Sequence, residues 1–145
     1  MEILTELDRL YADYEEQFRQ MERRRRPGEG MFGLGRGPGD HPCHGQFAQD
    51  MEELLQQYAA QGPSPEETAQ ALDYICFAPL SRRDNAVYWM MVAVHAYTVP
   101  LAERRDPEDA ADLLRRYQTA FPKSGWLPAQ IELGRTLKKR AAAMR

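Results

Sequence analysis

Apolar residues recur every three or four positions over residues 1–26, the spacing that places them on one face of an α-helix. They are Ile3, Leu7, Leu10, Tyr14, Phe18 and Met21. Acidic residues occupy the first turns and arginines occupy positions 23–26, an order that suits the helix dipole. Pro27 and Gly28 then interrupt the pattern. The sequence therefore predicts an N-terminal amphipathic helix within residues 1–26.

Further helical segments are predicted between residues 40 and 145, each limited by proline, glycine or an N-capping residue. They cover residues 42–61, 64–79, 84–100, 106–121 and 128–144. Residues 64–67 and 106–109 each combine a capping residue, a proline and acidic residues, which is typical of a helix start. No segment alternates apolar and polar residues with the two-residue period of a strand. The predicted fold class is therefore all-α.

Residues 86–99 form the longest apolar run of the chain, interrupted by His95. Because a helix without a polar face needs neighbours on all sides, we expect this segment to be the central helix of a single bundle of about five to six helices. His95 is expected to be a hydrogen-bonded core residue, and Pro100 is expected to kink or end the helix. The residues expected inside in the last helix are Ile131, Leu137 and Ala141.

Glycine dominates the connection between the first two helices. Residues 28–39 contain six glycines, but no Gly-Lys-Ser/Thr motif and no preceding apolar strand, so a phosphate-binding loop is not indicated. The composition predicts a flexible linker. The chain is thus divided into an N-terminal helix at 1–26, a linker at 27–39 and a helical bundle domain at 40–145.

Composition narrows the function classes. The chain has 145 residues, 43% of them hydrophobic, and a net charge of −3, which fits one domain and argues against a dedicated nucleic-acid binder. No apolar run reaches the ~20 residues needed to cross a bilayer. Two cysteines make no disulfide framework. We expect a cytoplasmic protein without membrane association, and nucleic-acid binding through residues 23–26 and the basic last helix is a minor alternative.

Two histidines and a cysteine, His41, Cys43 and His44, lie together at the start of the second helix. Imidazole and thiolate are the ligands that zinc prefers, so these residues are the candidate metal ligands. Adjacent side chains diverge by about 100° on a helix, so Cys76 or His95 would have to complete a site. A metal- or cofactor-binding helical domain that uses this cluster is the alternative function, whereas the main interpretation needs no cofactor.

A catalytic cysteine is the other chemistry that these residues allow. Cys43, at a helix N-terminus, is placed for a lowered pKa, and a histidine could act as its base. However, neither Cys43 nor Cys76 has a recognisable third residue to orient that base. Enzymatic activity is therefore not predicted.

The N-terminal helix carries the functional prediction. A helix of this length cannot leave its apolar face in water, so it must fold back onto the bundle, pair with a second copy or bind a groove of another protein. We predict a non-enzymatic protein-interaction or scaffolding module, a homodimer that self-associates through this helix. The residues predicted to bind the partner are Leu7, Leu10, Tyr14 and Phe18.

Overall fold

The computed structural model describes residues 2–23, 42–81 and 85–143, and every element in these ranges is helical. The α-helices are α1 (Ile3–Arg23), α2 (Pro42–Ala60), α3 (Pro65–Phe77), α4 (Asn85–Ala93), α5 (Val99–Ala102), α6 (Pro107–Ala120) and α7 (Pro128–Ala142). Three 3₁₀ segments lie at Ala78–Ser81, Val94–Thr98 and Lys123–Gly125. The prediction of an all-α fold is confirmed for the described residues. The predicted linker and the last residues of the predicted first helix lie outside them.

Helix α1 packs antiparallel to α2. Tyr14, in the second half of α1, contacts Phe47 in the first half of α2, with ring centroids 5.4 Å apart. At the other end of α1, the charge of Glu2 contributes to the raised pKa of Tyr58, near the end of α2. One hydrophobic cluster contains buried residues of α1, α2, α3, α4, α6 and α7. Helix α1 is therefore part of the same core as the helices that follow residue 42.

The two predicted helix starts with proline differ in their chemistry. At α3, the Glu67 amide donates to the Ser64 hydroxyl oxygen at 3.1 Å, and this hydroxyl donates to the Glu67 carboxylate at 3.1 Å. At α6, the Asp106 side chain makes no capping hydrogen bond. Asp109 instead forms an ion pair with Arg105 at 3.1 Å, because this arginine is buried and needs a counter-charge. Only the first predicted cap is therefore made by its side chain.

The apolar segment after residue 85 changes helix type before its proline. Helix α4 ends at Ala93, and the 3₁₀ segment Val94–Thr98 connects it to the short helix α5, which contains Pro100. Proline has no N–H to donate to the carbonyl four residues earlier, and here the Ala96 carbonyl accepts from the Val99 amide instead. The prediction that Pro100 kinks or ends the helix places the change too late in the chain, because the α-helical geometry already ends at Ala93.

Side-chain hydrogen bonds fix the loop between α5 and α6 to three other helices. Arg104 donates to the Ala59 carbonyl at 2.8 Å, at the end of α2. Arg105 donates to the Pro65 carbonyl at 2.5 Å, at the start of α3. The Arg105 carbonyl in turn accepts from Arg140 of α7 at 2.5 Å. These three hydrogen bonds tie the loop to α2, α3 and α7.

The predicted inner face of α7 is right at Leu137, which is fully buried, while Ala141 is partly buried. Ile131 is 44% exposed, so its predicted core position is wrong. The buried residues of α7 are Gln130, Leu133, Gly134 and Leu137. Gly134 leaves room for the Trp126 ring, because a Cβ at this position would lie 2.5 Å from that ring. A larger residue at position 134 would therefore displace the Trp126 side chain.

Within residues 2–23, 42–81 and 85–143, no helix combines the length and the apolar character needed to cross a lipid bilayer.

Candidate functional site

The residues predicted to bind a partner lie on the buried face of α1. Leu7 is fully buried, Tyr14 and Phe18 are 5% and 4% exposed, and Leu10 is partly buried. Tyr11, which is not among the residues predicted for the stripe, is also buried. Its spacing from Leu7 and Tyr14, four and three residues, was the signal for its position. In this structure, the apolar stripe of α1 is covered by the chain's own helices.

The surface that covers α1, which we call the α1-binding surface, is formed by Phe47 and Asp50 of α2 and by Tyr74 of α3. The Tyr14 hydroxyl donates to Asp50 Oδ2 at 2.5 Å, and Gln46 donates to the other oxygen of this carboxylate at 2.9 Å. The Tyr74 hydroxyl donates to Asp8 Oδ1 at 2.5 Å. Hydrogen bonds to an ionised acceptor are about twice as strong as neutral ones. These two contacts set the position of α1 along the surface.

Aromatic rings fill the space between these two hydrogen bonds. The ring centroid of Tyr11 lies 5.4 Å from that of Phe47 and 5.3 Å from that of Tyr74. Both pairs are tilted, an arrangement that aromatic quadrupoles favour. Burying a large apolar side chain contributes about 1.5–3 kcal/mol, so the stripe of α1 accounts for a substantial part of the stability of the fold.

Tyr58 lies on the same helix as Phe47, but its hydroxyl forms no hydrogen bond with another described residue. The side chain is 1% exposed, and its oxygen has no hydrogen-bond partner among the described residues. Burial raises the pKa of Tyr58, and the charges of Glu67 and Glu2 act in the same direction. The phenol therefore stays protonated and serves as an apolar ring in the core.

His95 is a polar residue in the centre of the described core. It is fully buried, with Nε2 3.0 Å from the Ile75 carbonyl and Nδ1 2.6 Å from the Tyr117 hydroxyl. Because a carbonyl can only accept, Nε2 carries the proton, and Nδ1 accepts from Tyr117. Burial lowers the pKa of His95 to about 4, while the bond to Ile75 acts in the opposite direction. The ring is neutral at pH 7, as expected for a core histidine.

Tyr117 continues this network to α7. Burial raises the pKa of its phenol, the Cys76 thiol adds to this, and a hydrogen bond with the Gln130 side chain opposes it. The Gln130 Oε1 atom accepts from the Leu127 amide at 2.9 Å, so the amide nitrogen of its side chain is the group that meets Tyr117. The network thus joins α3, α6, α7 and the 3₁₀ segment 94–98 through groups that all have partners.

The thiol of Cys76 is inert in this environment. It is fully buried, and burial raises the pKa of Cys76 far above its ordinary value, with the charge of Asp73 adding to the effect. The thiolate is the nucleophile and the metal ligand, so the position suits neither role. Both ring nitrogens of His95 are also engaged, which leaves neither interior residue ready to complete a metal site.

The side chains of His41, Cys43 and His44 lie outside the described part of the chain, as do those of residues 23–26. Among the side chains that the structure describes, no group of three metal-ligating residues converges on one point. The His41, Cys43 and His44 site stays a prediction from the sequence. Of the basic residues in the last helix, Arg140 binds the Arg105 carbonyl.

Comparisons with known proteins give no match. No protein-family model matches the chain. No curated protein and no solved structure matches it. The functional argument therefore depends on the residues of this chain and their geometry.

Proposed function

We propose that this chain is a non-enzymatic protein-interaction or scaffolding module that self-associates by exchanging α1 between two copies. The observation that carries the proposal is the burial of the α1 stripe against the α1-binding surface. The 18 residues numbered 24–41, predicted from their glycines to be largely a flexible linker, connect α1 to this surface. Because every copy carries the same surface, α1 of one copy fits the surface of another.

The free energy of exchange depends on the linker, because the contacts of α1 are the same in the monomer and in the exchanged dimer. A closed monomer and an exchanged dimer bury the same side chains and form the same Tyr14–Asp50 and Tyr74–Asp8 hydrogen bonds. The equilibrium between them is then set by the linker, which holds α1 near its own surface at an effective concentration on the order of 1 mM. Exchange is favoured where copies are held together at comparable local concentration, as in a scaffold.

The arrangement of the helices and the kind of partner are also part of the proposal. We propose that the helices form a single bundle around residues 86–99, an arrangement supported by the burial of Met90, Met91, Val92 and Val94. We also propose a cytoplasmic location and a protein partner rather than nucleic acid or membrane. The net charge of −3 supports the choice of a protein partner over nucleic acid.

Isotope mixing tests the exchange. Full-length ¹⁴N and ¹⁵N protein are mixed at about 1 mM, partly unfolded in urea, returned to native buffer, diluted and analysed by native mass spectrometry. We expect dimers of mixed mass, whose fraction rises with the protein concentration during refolding. Tyr14→Phe is the matched control: it lowers the free energy of unfolding but leaves the dimer fraction unchanged, since the lost bond is absent from both states.

Three results would contradict the proposal. The first is a monomer at every refolding concentration up to about 1 mM. The second is a dimer that persists after removal of residues 1–27, because the association would then use another surface. The third is a truncated chain that unfolds, since the proposal needs residues 40–145 to fold and to expose the apolar α1-binding surface, which light scattering would detect.

A further inference from the structure

A cavity of about 530 Å³ lies between α2 and the segment that contains the 3₁₀ helix 94–98 and α5. Its apolar wall includes Leu55 of α2 and Ala96, Val99 and Leu101 of the facing segment. Leu55 and Leu101 belong to the buried core, so the cavity reaches down to it. Binding sites for small ligands and peptide side chains typically have volumes of about 300–1,000 Å³ and walls of this kind.

The cavity is on the opposite side of α2 from α1. Glu52, Leu55 and Gln56 line it, whereas Phe47 and Asp50 contact α1. At about 100° per residue, these two sets of side chains point roughly 170° apart around the helix axis. A ligand in this cavity and α1 on its own surface can therefore be bound at the same time.

Two acidic residues, Glu52 of α2 and Glu132 of α7, are part of the cavity lining. Neither forms an ion pair with another described residue. The nearest interaction of Glu52 is a weak contact of 3.5 Å from Gln56. Arg104 is the one basic residue of the lining, and its guanidinium binds the Ala59 carbonyl at the end of α2. Two negative charges against one positive charge leave the cavity attractive to a cation.

Tyr97 adds an aromatic ring to the same lining and is partly exposed there. An aromatic ring and carboxylates that line one cavity are the kinds of group that bind an ammonium or guanidinium group. The aliphatic stem of a lysine or arginine matches the apolar wall at Val99 and Leu101. We propose that this cavity, which we call the Tyr97 cavity, binds a basic amphipathic segment of a partner protein, with one lysine or arginine held by Glu52, Glu132 and Tyr97.

This binding activity does not depend on α1 exchange. It assigns a second interaction surface to the chain, for a partner of opposite charge, and it would remain if the chain were always a monomer. The measurement below uses the full-length protein at low micromolar concentration, where the linker keeps α1 on its own surface.

The test uses a defined probe. An acetylated and amidated helical 15-mer, with leucines on one face flanked by arginines, is titrated into fluorescein-labelled protein and followed by microscale thermophoresis. Its twin has glutamates in place of the arginines. We expect the arginine peptide to bind and the glutamate twin not to bind. Glu52→Gln and Glu132→Gln should each raise Kd about 3-fold, and the double variant about 10-fold, as for partly exposed ion pairs.

Two matched controls separate the cavity from net charge and from helix stability. Glu53→Gln removes an exposed carboxylate of the same helix that does not line the cavity, and should leave Kd unchanged. Ala60→Trp places a large side chain at the exposed rim and should raise Kd at least about 10-fold by filling the space. Gln57→Trp, an exposed residue of α2 outside the lining, should not.

The proposal is overturned if the arginine peptide does not bind at probe concentrations up to about 1 mM, which leaves less than about 4 kcal/mol of binding free energy. It is also overturned if the glutamate twin binds equally well, or if Glu53→Gln weakens binding as much as Glu52→Gln. The Ala60→Trp variant must also be folded, as its circular dichroism spectrum would show. If this folded variant binds the peptide with an unchanged Kd, the peptide does not occupy the cavity and the proposal is wrong.

Discussion

His95 shows how one polar residue is accommodated in an apolar interior. Its two ring nitrogens and the Tyr117 hydroxyl form a chain that begins at the Ile75 carbonyl, so no lone pair or N–H of the ring is left without a partner. A buried polar group with all its partners costs little, whereas a half-satisfied one costs about 1–3 kcal/mol. The neutral ring meets this condition, but the protonated ring does not, because Nδ1 then becomes a second donor facing a hydroxyl that already donates to it.

Acid should therefore weaken the fold through His95. Its pKa is about 4 when folded and 6.5 ordinarily, so between these values the unfolded chain binds a proton that the folded chain does not. The free energy of unfolding should fall by about 3 kcal/mol in total as the pH drops from about 6.5 to about 4. Urea denaturation followed by circular dichroism at several pH values measures this slope. In His95→Gln, the total fall in the free energy of unfolding over this pH range should be smaller by that amount; an unchanged fall would assign the pH dependence to other groups.

At the scale of the helices, local signals in the sequence predicted where most elements begin and end. Pro65 after Ser64 and Pro107 after Asp106 mark starts that the structure reproduces within a residue. The rest depended on contacts between helices. The exposure of Ile131 and the close approach of Trp126 to Gly134 could not be predicted from periodicity, because they depend on which residues of other segments lie against α7.

The capping residues of α3 and α6 should contribute differently to the free energy of unfolding. Ser64→Ala removes a side chain that accepts from the Glu67 amide, so we expect a loss of about 1 kcal/mol in the free energy of unfolding. Asp106→Ala removes no capping hydrogen bond and should cost less than about 0.5 kcal/mol. Chemical denaturation of both variants measures the difference. Equal losses would show that Asp106 caps its helix in solution.

At the scale of the whole molecule, α1 belongs to the core. The sequence predicted that Leu7, Tyr14 and Phe18 need an apolar neighbour, and the structure supplies it from α2 and α3. The sequence could not identify Asp50 as the partner of Tyr14, because that pairing depends on which helices lie side by side and in which direction. The same holds for the Tyr97 cavity, whose carboxylates come from residues 80 positions apart in the chain, Glu52 and Glu132.

If α1 is part of one cooperative unit, the whole chain should unfold in a single transition. Circular dichroism reports α1 together with the other helices, while tryptophan fluorescence reports only Trp89 and Trp126. We expect coincident curves, and Leu7→Ala should shift both by about 2–5 kcal/mol because it leaves a cavity in the core. Leu80→Ala, at a position 52% exposed, is the control and should change little. Separate transitions would mean that α1 detaches on its own.

Trp126 also gives the protein an intrinsic optical reporter. Its indole N–H binds the Phe121 carbonyl at 2.7 Å, and its ring centroid lies 5.6 Å from that of Tyr117. An indole emits at a wavelength and intensity that depend on the groups around it, so any loosening of Tyr117 from His95 changes the emission of a chromophore that is already present. Events in the polar interior can thus be observed in unlabelled protein, without altering a single atom.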